Sequence, residues 1–488
     1  MGNSWRMLLL FAVTGAANAA DRFDAIRDYI RIGLTEHDVP SMSVAVVQEG
    51  RVVWEEGFGW ADRERRVAAT AHTVYSLASI SKPITATAVM TLVQSGKVDL
   101  DKPVNDYLGA AKLQARVGDV DAATVRRVAN HTSGLPEHAN YFFADEPYQP
   151  PSRDLTILRY GNLVTAPGET YQYSNLGYGV LDYVVQRVSG QSFAQYLRTA
   201  VFLPLGMTRS SLAVEPRLAS FIATRYDDAG RALPAYTFDH SGASAVFASA
   251  HDLARFGMFH LKAHLPDQQA ILSDASIDEM HRQTTGTADK GYGVGFVVEQ
   301  RHGYRVVSHS GSMSGVATDL RIFPAQSLAI VVLSNSNSPQ NSRWVANTAE
   351  RIAAVMLPKW QIAGAKVWPP VPPFVTPEKL LGTWRGKLST YVAAVPVKLR
   401  FLANGEVHAQ VGDQAPTLID RVQIKDGVLL GRLTASVGTP DTARADGGVV
   451  YLSLRLRGDV LNGSAMAFAA NNGRTYFGLT HWMELVRQ

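Results

Sequence analysis

Cysteine is absent from all 488 residues. Disulfides, thiolate nucleophiles and cysteine-ligated zinc are therefore excluded. Long apolar runs are missing as well. Beyond the N-terminus no segment approaches the ~20 residues a bilayer-spanning helix requires, so the mature protein is expected to be soluble. Basic blocks are absent too: the formal charge is only +4, with Lys and Arg scattered along the chain. That pattern argues against a nucleic-acid partner. The apolar share of 46% is ordinary for a globular enzyme. Without disulfides the fold must rest on core burial, and the chain is too long for one core.

At the N-terminus Arg6 precedes a short apolar run over 7–13, and small residues follow, ending in Ala17-Asn18-Ala19. This is the n-region, h-region and A-x-A pattern of a secretory signal peptide. It predicts removal of 1–19 and a secreted or periplasmic mature protein.

Three zones follow. The first opens with an amphipathic helix over 23–35 and two strands over 42–48 and 51–58. The strands are joined at Glu49-Gly50, a good tight hairpin turn. From about 79 to 280 the pattern is mostly helical, with helices at 178–188, stopped by Gly190, and 192–202, stopped by Pro204. Strands return over 292–299, 305–308, 318–323 and 328–334, and a helix over 344–356 closes this zone. A Pro-rich linker spans 366–377, including Pro369-Pro370-Val371-Pro372-Pro373. Beyond it short β-rich runs alternate with turns such as Asn404-Gly405, Asp426-Gly427 and Asn462-Gly463. Such spacing predicts a small all-β barrel or sandwich over 378–488.

Ser79-Ile80-Ser81-Lys82 is an S-x-x-K tetrad where a strand gives way to a helix expected over 79–95. Residues three apart on a helix are ~5–6 Å apart at Cβ, so Lys82 can reach the Ser79 hydroxyl. A serine hydroxyl needs a neighbouring base to attack a carbonyl. Lysine serves as one only when desolvation or a nearby cation lowers its pKa. A chain of this length should show about one such tetrad by chance, so the motif alone decides nothing. Tyr173-Ser174-Asn175 lies in a loop running into a helix. His309-Ser310-Gly311 follows a strand and precedes Ser312-Met313-Ser314-Gly315.

With S-x-x-K, Y-x-N and H-x-G in this order, the chain resembles the penicillin-recognising serine hydrolases. These comprise class C β-lactamases, D-alanyl-D-alanine carboxypeptidases, D-aminopeptidases and related esterases. Val74-Tyr75-Ser76-Leu77-Ala78, Asn130-His131-Thr132-Ser133-Gly134-Leu135-Pro136 and Ala250-His251-Asp252-Leu253-Ala254-Arg255-Phe256 look familial too, so the resemblance covers about 23–357. It implies an α/β (α+β) fold for a hydrolase domain over 20–365. An antiparallel sheet from N- and C-terminal strands would be flanked by helices, with a helical insertion. The region from Leu381-Gly382-Thr383-Trp384-Arg385-Gly386 onward looks like the lipocalin-like barrel appended to some relatives, with gating, oligomerisation or scaffolding as its possible roles.

Carried over position by position, Ser79 matches the nucleophile and Lys82 its partner. Tyr173 matches the proton-shuttling tyrosine, its phenol lowered in pKa by Lys82. Asn175 matches a residue that holds the substrate. His309, Ser310 and Gly311 form the third motif. The backbone N–H groups of Ser79 and Ser312 would make the oxyanion hole. The implied reaction is two-step acyl transfer through acyl-Ser79 on an ester, an amide or a D-amino acid peptide, without metal or organic cofactor. Relatives that act on β-lactams or peptide C-termini carry lysine in the third motif. His309 instead shifts weight from β-lactamase or carboxypeptidase chemistry toward esterase, amidase or D-aminopeptidase chemistry. The alternative of another class is a non-catalytic exported binding protein on the same fold, and a homo-oligomer is compatible with either.

Other features read as structural. Tyr171 and Tyr178 are expected to pack, and His131 and Ser133 to shape a turn. His260 and His264 lack the glutamate of H-E-x-x-H and are expected on a helix surface. Gly291, Gly293 and Gly295 complete no dinucleotide loop, and the missing G-x-S-x-G elbow argues against an α/β-hydrolase fold.

Overall fold

A computed structural model describes residues 21–362, 364, 372–446 and 448–488. The expected signal peptide and the 366–371 part of the linker lie outside the described residues. No helix among them is long and apolar enough to cross a membrane.

Residues 44–47 form an unbroken apolar run, and all of 41–47 are buried, the pattern of a strand covered on both faces. That strand, Ser41–Gln48, lies inside a nine-stranded antiparallel sheet. On one side it pairs with Leu328–Ser334, Val44 facing Val332; on the other it pairs with Arg51–Asp62. Strands from the two ends of residues 21–362 thus complete one sheet. Glu49 and Gly50 both adopt positive φ, as a tight hairpin turn demands.

Period-two alternation sorts the side chains between two layers. Val44 and Val46 pack with Phe23, Ile30, Trp344 and Ile352 under the Asp24–Glu36 and Pro339–Met356 helices. Ala45 and Val47 face Ile80, Ile84 and Phe256 under the Ser81–Gln94 and Ala250–His260 helices. Gly33 admits the Trp344 ring, which would lie 2.2 Å from a Cβ at that position.

Several expectations need correction. The strand expected over 292–299 is two strands, Lys290–Tyr292 and Val297–Arg301. Between them the chain turns tightly at Gly293, where a Cβ would meet the Met280 carbonyl at 2.3 Å. The 192–202 helix changes pitch, passing from an α turn to the wider Leu197–Phe202 turn. His260 is buried, not on a surface: its helix is covered on both sides, and its ring meets the Thr87 hydroxyl and His281. His264 lies outside that helix.

Beyond the linker nine strands, from Gly382–Ser389 to Arg474–Arg487, form a nearly closed barrel-like sheet around Trp384, Leu399 and Leu454. Its Arg474–Arg487 strand also pairs with Ala139–Phe143 of the region before the linker, Phe477 facing Asn140. Beside that junction the Thr480 hydroxyl donates to the Glu137 carbonyl at 2.7 Å. The Tyr160 hydroxyl donates to Asp441 at 2.5 Å.

Candidate active site

The short strand Val74–Ser76 ends in a sharp turn at Ala78, whose φ of 49° is unusual for a residue with a Cβ. A 3₁₀ turn, Ala78–Ile80, then leads into the Ser81–Gln94 helix. Ser79 therefore sits in the tight turn before the expected α-helix, with its backbone N–H lacking an intrahelical acceptor. Gly311 makes the turn possible from the sheet side. A Cβ there would lie 2.3 Å from the Leu77 carbonyl and 2.2 Å from the Thr318 hydroxyl. The third motif thus packs edge-on against the turn that carries Ser79.

Lys82 is wholly buried. Its Nζ lies 3.1 Å from Ser79 Oγ, 2.7 Å from Asn175 Oδ1 and 3.2 Å from the Ala243 carbonyl. Burial holds its pKa well below the ordinary lysine value, the charge of Glu137 opposing this only in part. The same Nζ lies 4.6 Å from the Tyr173 ring centroid.

Tyr173 overturns one expectation. Its phenol pKa is raised, not lowered: burial dominates, and a hydrogen bond with Ser79 pulls only weakly the other way. Proximity to an amine that is itself uncharged gives no Coulombic help to a phenolate. The ring is fixed by His131, 4.4 Å away between centroids. His131 adopts a positive φ and accepts the Ser174 N–H at Nδ1, 3.1 Å away. It therefore does more than shape a turn.

Asn175 opens the Asn175–Ser189 helix, which Ser174 caps by accepting the Gly177 N–H. Its carboxamide does not point outward as expected. Oδ1 accepts from Lys82, and Nδ2 donates to the His138 carbonyl at 2.9 Å. His309 also turns inward. Strand Tyr304–Met313 runs straight through the H-x-G motif rather than ending before it, and only Val307 and Ser308 have partners on both sides. The Ser310 carbonyl, 2.7 Å from His309 Nδ1, can only accept, so Nδ1 carries the proton. Nε2 then accepts from the Tyr292 hydroxyl at 2.8 Å. Burial, the dominant cause, pushes this imidazole down to about 3.

Ser310 and Ser312 lie where the strand is paired on one side only, and both are exposed. The Ser312 hydroxyl accepts from Asn337 Nδ2 at 3.1 Å. Ser79, Lys82, Tyr173, Asn175, His309 and Gly311 are thus brought together. Tyr292 and Ala243 join them without any sequence signal, since each lies outside the three motifs. Tyr178 packs as expected, its hydroxyl on the Ala129 carbonyl at 2.7 Å, whereas Tyr171 is 44% exposed. Among the described residues His138, Asp239 and His240 form a buried group of metal-ligand type. There both imidazoles hydrogen-bond to Asp239.

The family described as "Beta-lactamase" matches residues 24–355. Protein flp of Staphylococcus aureus is 27% identical over 320 residues, covering 62% of each chain. The chain therefore spans about 62% of the length of that relative. Penicillin-binding protein 4 of Amycolatopsis lactamdurans is 31% identical over 340 residues, 65% of this chain and 85% of that one. Among solved structures, the octameric penicillin-binding protein homologue from Pyrococcus abyssi superposes with a TM-score of 0.59 at 21% identity. It covers 94% of this chain and 99% of that one.

Proposed function

We propose that this chain, which belongs to the beta-lactamase family, is a serine hydrolase that cleaves ester or amide substrates through an acyl-Ser79 intermediate. The supporting observation is the proton inventory around Lys82. Asn175 Oδ1 and the Ala243 carbonyl can only accept, so they take both N–H groups of a neutral amine. The remaining lone pair then faces Ser79 Oγ, 3.1 Å away, and the serine O–H donates to it. A buried lysine with a strongly lowered pKa is suited to this role.

Ser79 Oγ attacks the substrate carbonyl carbon while its proton passes to Lys82 Nζ. The oxyanion is met by the backbone N–H groups of Ser79 and Ser312. Tyr173, a neutral phenol, gives its proton to the leaving oxygen or nitrogen and regains one from Lys82. Water then attacks the acyl-enzyme, releasing the acid and restoring Ser79. An uncharged fluorophosphonate should label wild type and not Ser79→Ala. Labelling of the variant at the wild-type rate would show that the nucleophile lies elsewhere.

The third motif sets the substrate class. His309 is neutral, and both ring nitrogens are occupied by Ser310 and Tyr292. A substrate carboxylate gains no ion pair there. Short esters or amides are expected to exceed nitrocefin in kcat/KM by at least ~10-fold. His309→Lys should narrow that gap. Nitrocefin turnover equal to ester turnover in wild type would make β-lactamase the leading function.

Export is proposed from the N-terminal pattern alone. Mature protein from the secreted or periplasmic fraction of the native host should begin near Ala20. An unprocessed cytosolic chain starting at Met1 would overturn this.

A further inference from the structure

Glu55, His72 and His251 meet near the surface from three separate elements. Glu55 lies on Arg51–Asp62 of the nine-stranded sheet, opposite Ala45. His72 lies in the loop that enters Val74–Ser76, and His251 in the first turn of the Ala250–His260 helix. Val74–Ser76 pairs antiparallel with Phe247–Ser249, Val74 opposite Ser249, and continuing that register sets His72 opposite His251. The His251 N–H donates to the Ala71 carbonyl at 2.5–3.5 Å reach, 3.1 Å away, which fixes the two loops side by side.

A ring nitrogen of each histidine and a carboxylate oxygen of Glu55 all lie within 4.8 Å of one another. His251 Nδ1 and Glu55 Oε2 are 2.8 Å apart, and the two imidazole centroids 4.7 Å. Ligand atoms of a tetrahedral zinc site stand about 3.3 Å from each other, given bonds of ~2.0–2.1 Å. Small side-chain rotations reach that spacing, and all three residues are half-buried, so an ion can enter from solvent. Hydrogen bonds of His72 run through its backbone, with Thr70 Oγ1 and Arg209, and leave its ring nitrogens free among the described residues. The His138, Asp239 and His240 group differs: Asp239 is already bound by both imidazoles and Asn140, and the group is sealed from solvent. Two imidazoles with one carboxylate suit zinc rather than magnesium or calcium, which take oxygen ligands. Arg209 is the opposing charge, held at the His72 carbonyl and over the Phe221 ring.

We infer that Glu55, His72 and His251 bind one zinc ion, with water as the fourth ligand, and that the ion clips the strand leading to Ser79 to the nine-stranded sheet. The carboxylate can only accept, so His251 Nδ1 now carries the proton; on binding, that proton moves to Nε2 and Nδ1 gives its lone pair to the metal. None of Ser79, Lys82, Tyr173, Asn175 and His309 belongs to the group. The ion therefore takes no part in acyl transfer, and the inference stands apart from the acyl-Ser79 reading.

The test titrates the mature chain, without an affinity tag and stripped with EDTA, with zinc chloride, followed by calorimetry and thermal melting. Wild type should take up about one zinc per chain and melt higher with zinc than in EDTA, because the ion binds the folded state. Magnesium chloride should produce no such rise. His72→Ala and Glu55→Gln should each weaken zinc binding at least ~10-fold, since loss of even an outer partner of a ligand costs that much. Both should fold in EDTA: the His72 ring has no hydrogen bond to lose, and a glutamine amide can keep the contact with His251. A wild type that takes up no zinc, or zinc affinity within ~2-fold of wild type in either variant, would overturn the inference.

Discussion

Ser79→Ala should lower ester or amide turnover by ~10⁴-fold or more, the scale seen when an acyl-transfer site loses its nucleophile. The substitution removes the Oγ that lies 3.1 Å from Lys82 Nζ and disturbs little else. Ala78 keeps its strained φ, and Gly311 still closes on the turn. Thermal melting should therefore stay near that of wild type. Intact-mass spectrometry of wild type with a slow substrate should show one acyl group, and peptide mapping should place it on Ser79. An adduct on any other residue, or undiminished turnover by the variant, would end the acyl-Ser79 reading.

Lys82→Ala should lower kcat by a factor of ~10² or more, as loss of general-base assistance does. Lys82→Arg should not rescue it, because a guanidinium keeps its proton throughout the working pH range and offers no lone pair. In wild type kcat/KM should rise with pH as Lys82 Nζ loses its proton, then level off below the ordinary lysine pKa. Melting should move little in Lys82→Ala because two effects oppose. A buried amine is removed, which favours folding, while Asn175 Oδ1 and the Ala243 carbonyl lose their donor, which disfavours it. Tyr173→Phe should also lose ~10² in kcat. Its loss should be larger for anilides than for activated esters, because a poor leaving group depends more on the donated proton. A kinetically silent Tyr173→Phe would move the proton transfer to another group.

Short-range spacing was legible in the sequence; the electrostatics were not. The Ser79–Lys82 pairing follows from three residues of helical rise, and the hairpin at Glu49-Gly50 from local turn chemistry. Tyr173 was correctly expected beside Lys82, yet its shift was given the wrong sign. Proximity of a cation is visible in a motif, whereas burial by His131 and neighbouring tyrosines is not. Asn175 and His309 were placed at the site but expected to face substrate. Their inward orientation depends on the His138 carbonyl and the Tyr292 hydroxyl, which tertiary packing brings in from elsewhere. His260 failed for a related reason. Helical periodicity marks a polar position but does not reveal that a second helix covers it.

The seam at Glu137 ties the birth of activity to the order in which the chain is made. Thr480 and Glu137 are 343 residues apart in sequence. At ~5–20 residues per second, a ribosome needs about 17–70 s between them. Through that interval Ala139–Phe143 has no Arg474–Arg487 strand to pair with, and the cavity between Glu137 and the barrel has no second wall. Nascent chains carry all three motifs long before they carry the second wall of that cavity. Such distant closure is slow and exposes an unpaired strand edge while it waits. Truncations that stop before Arg474 should therefore be captured by chaperones or proteases rather than accumulate as smaller hydrolases.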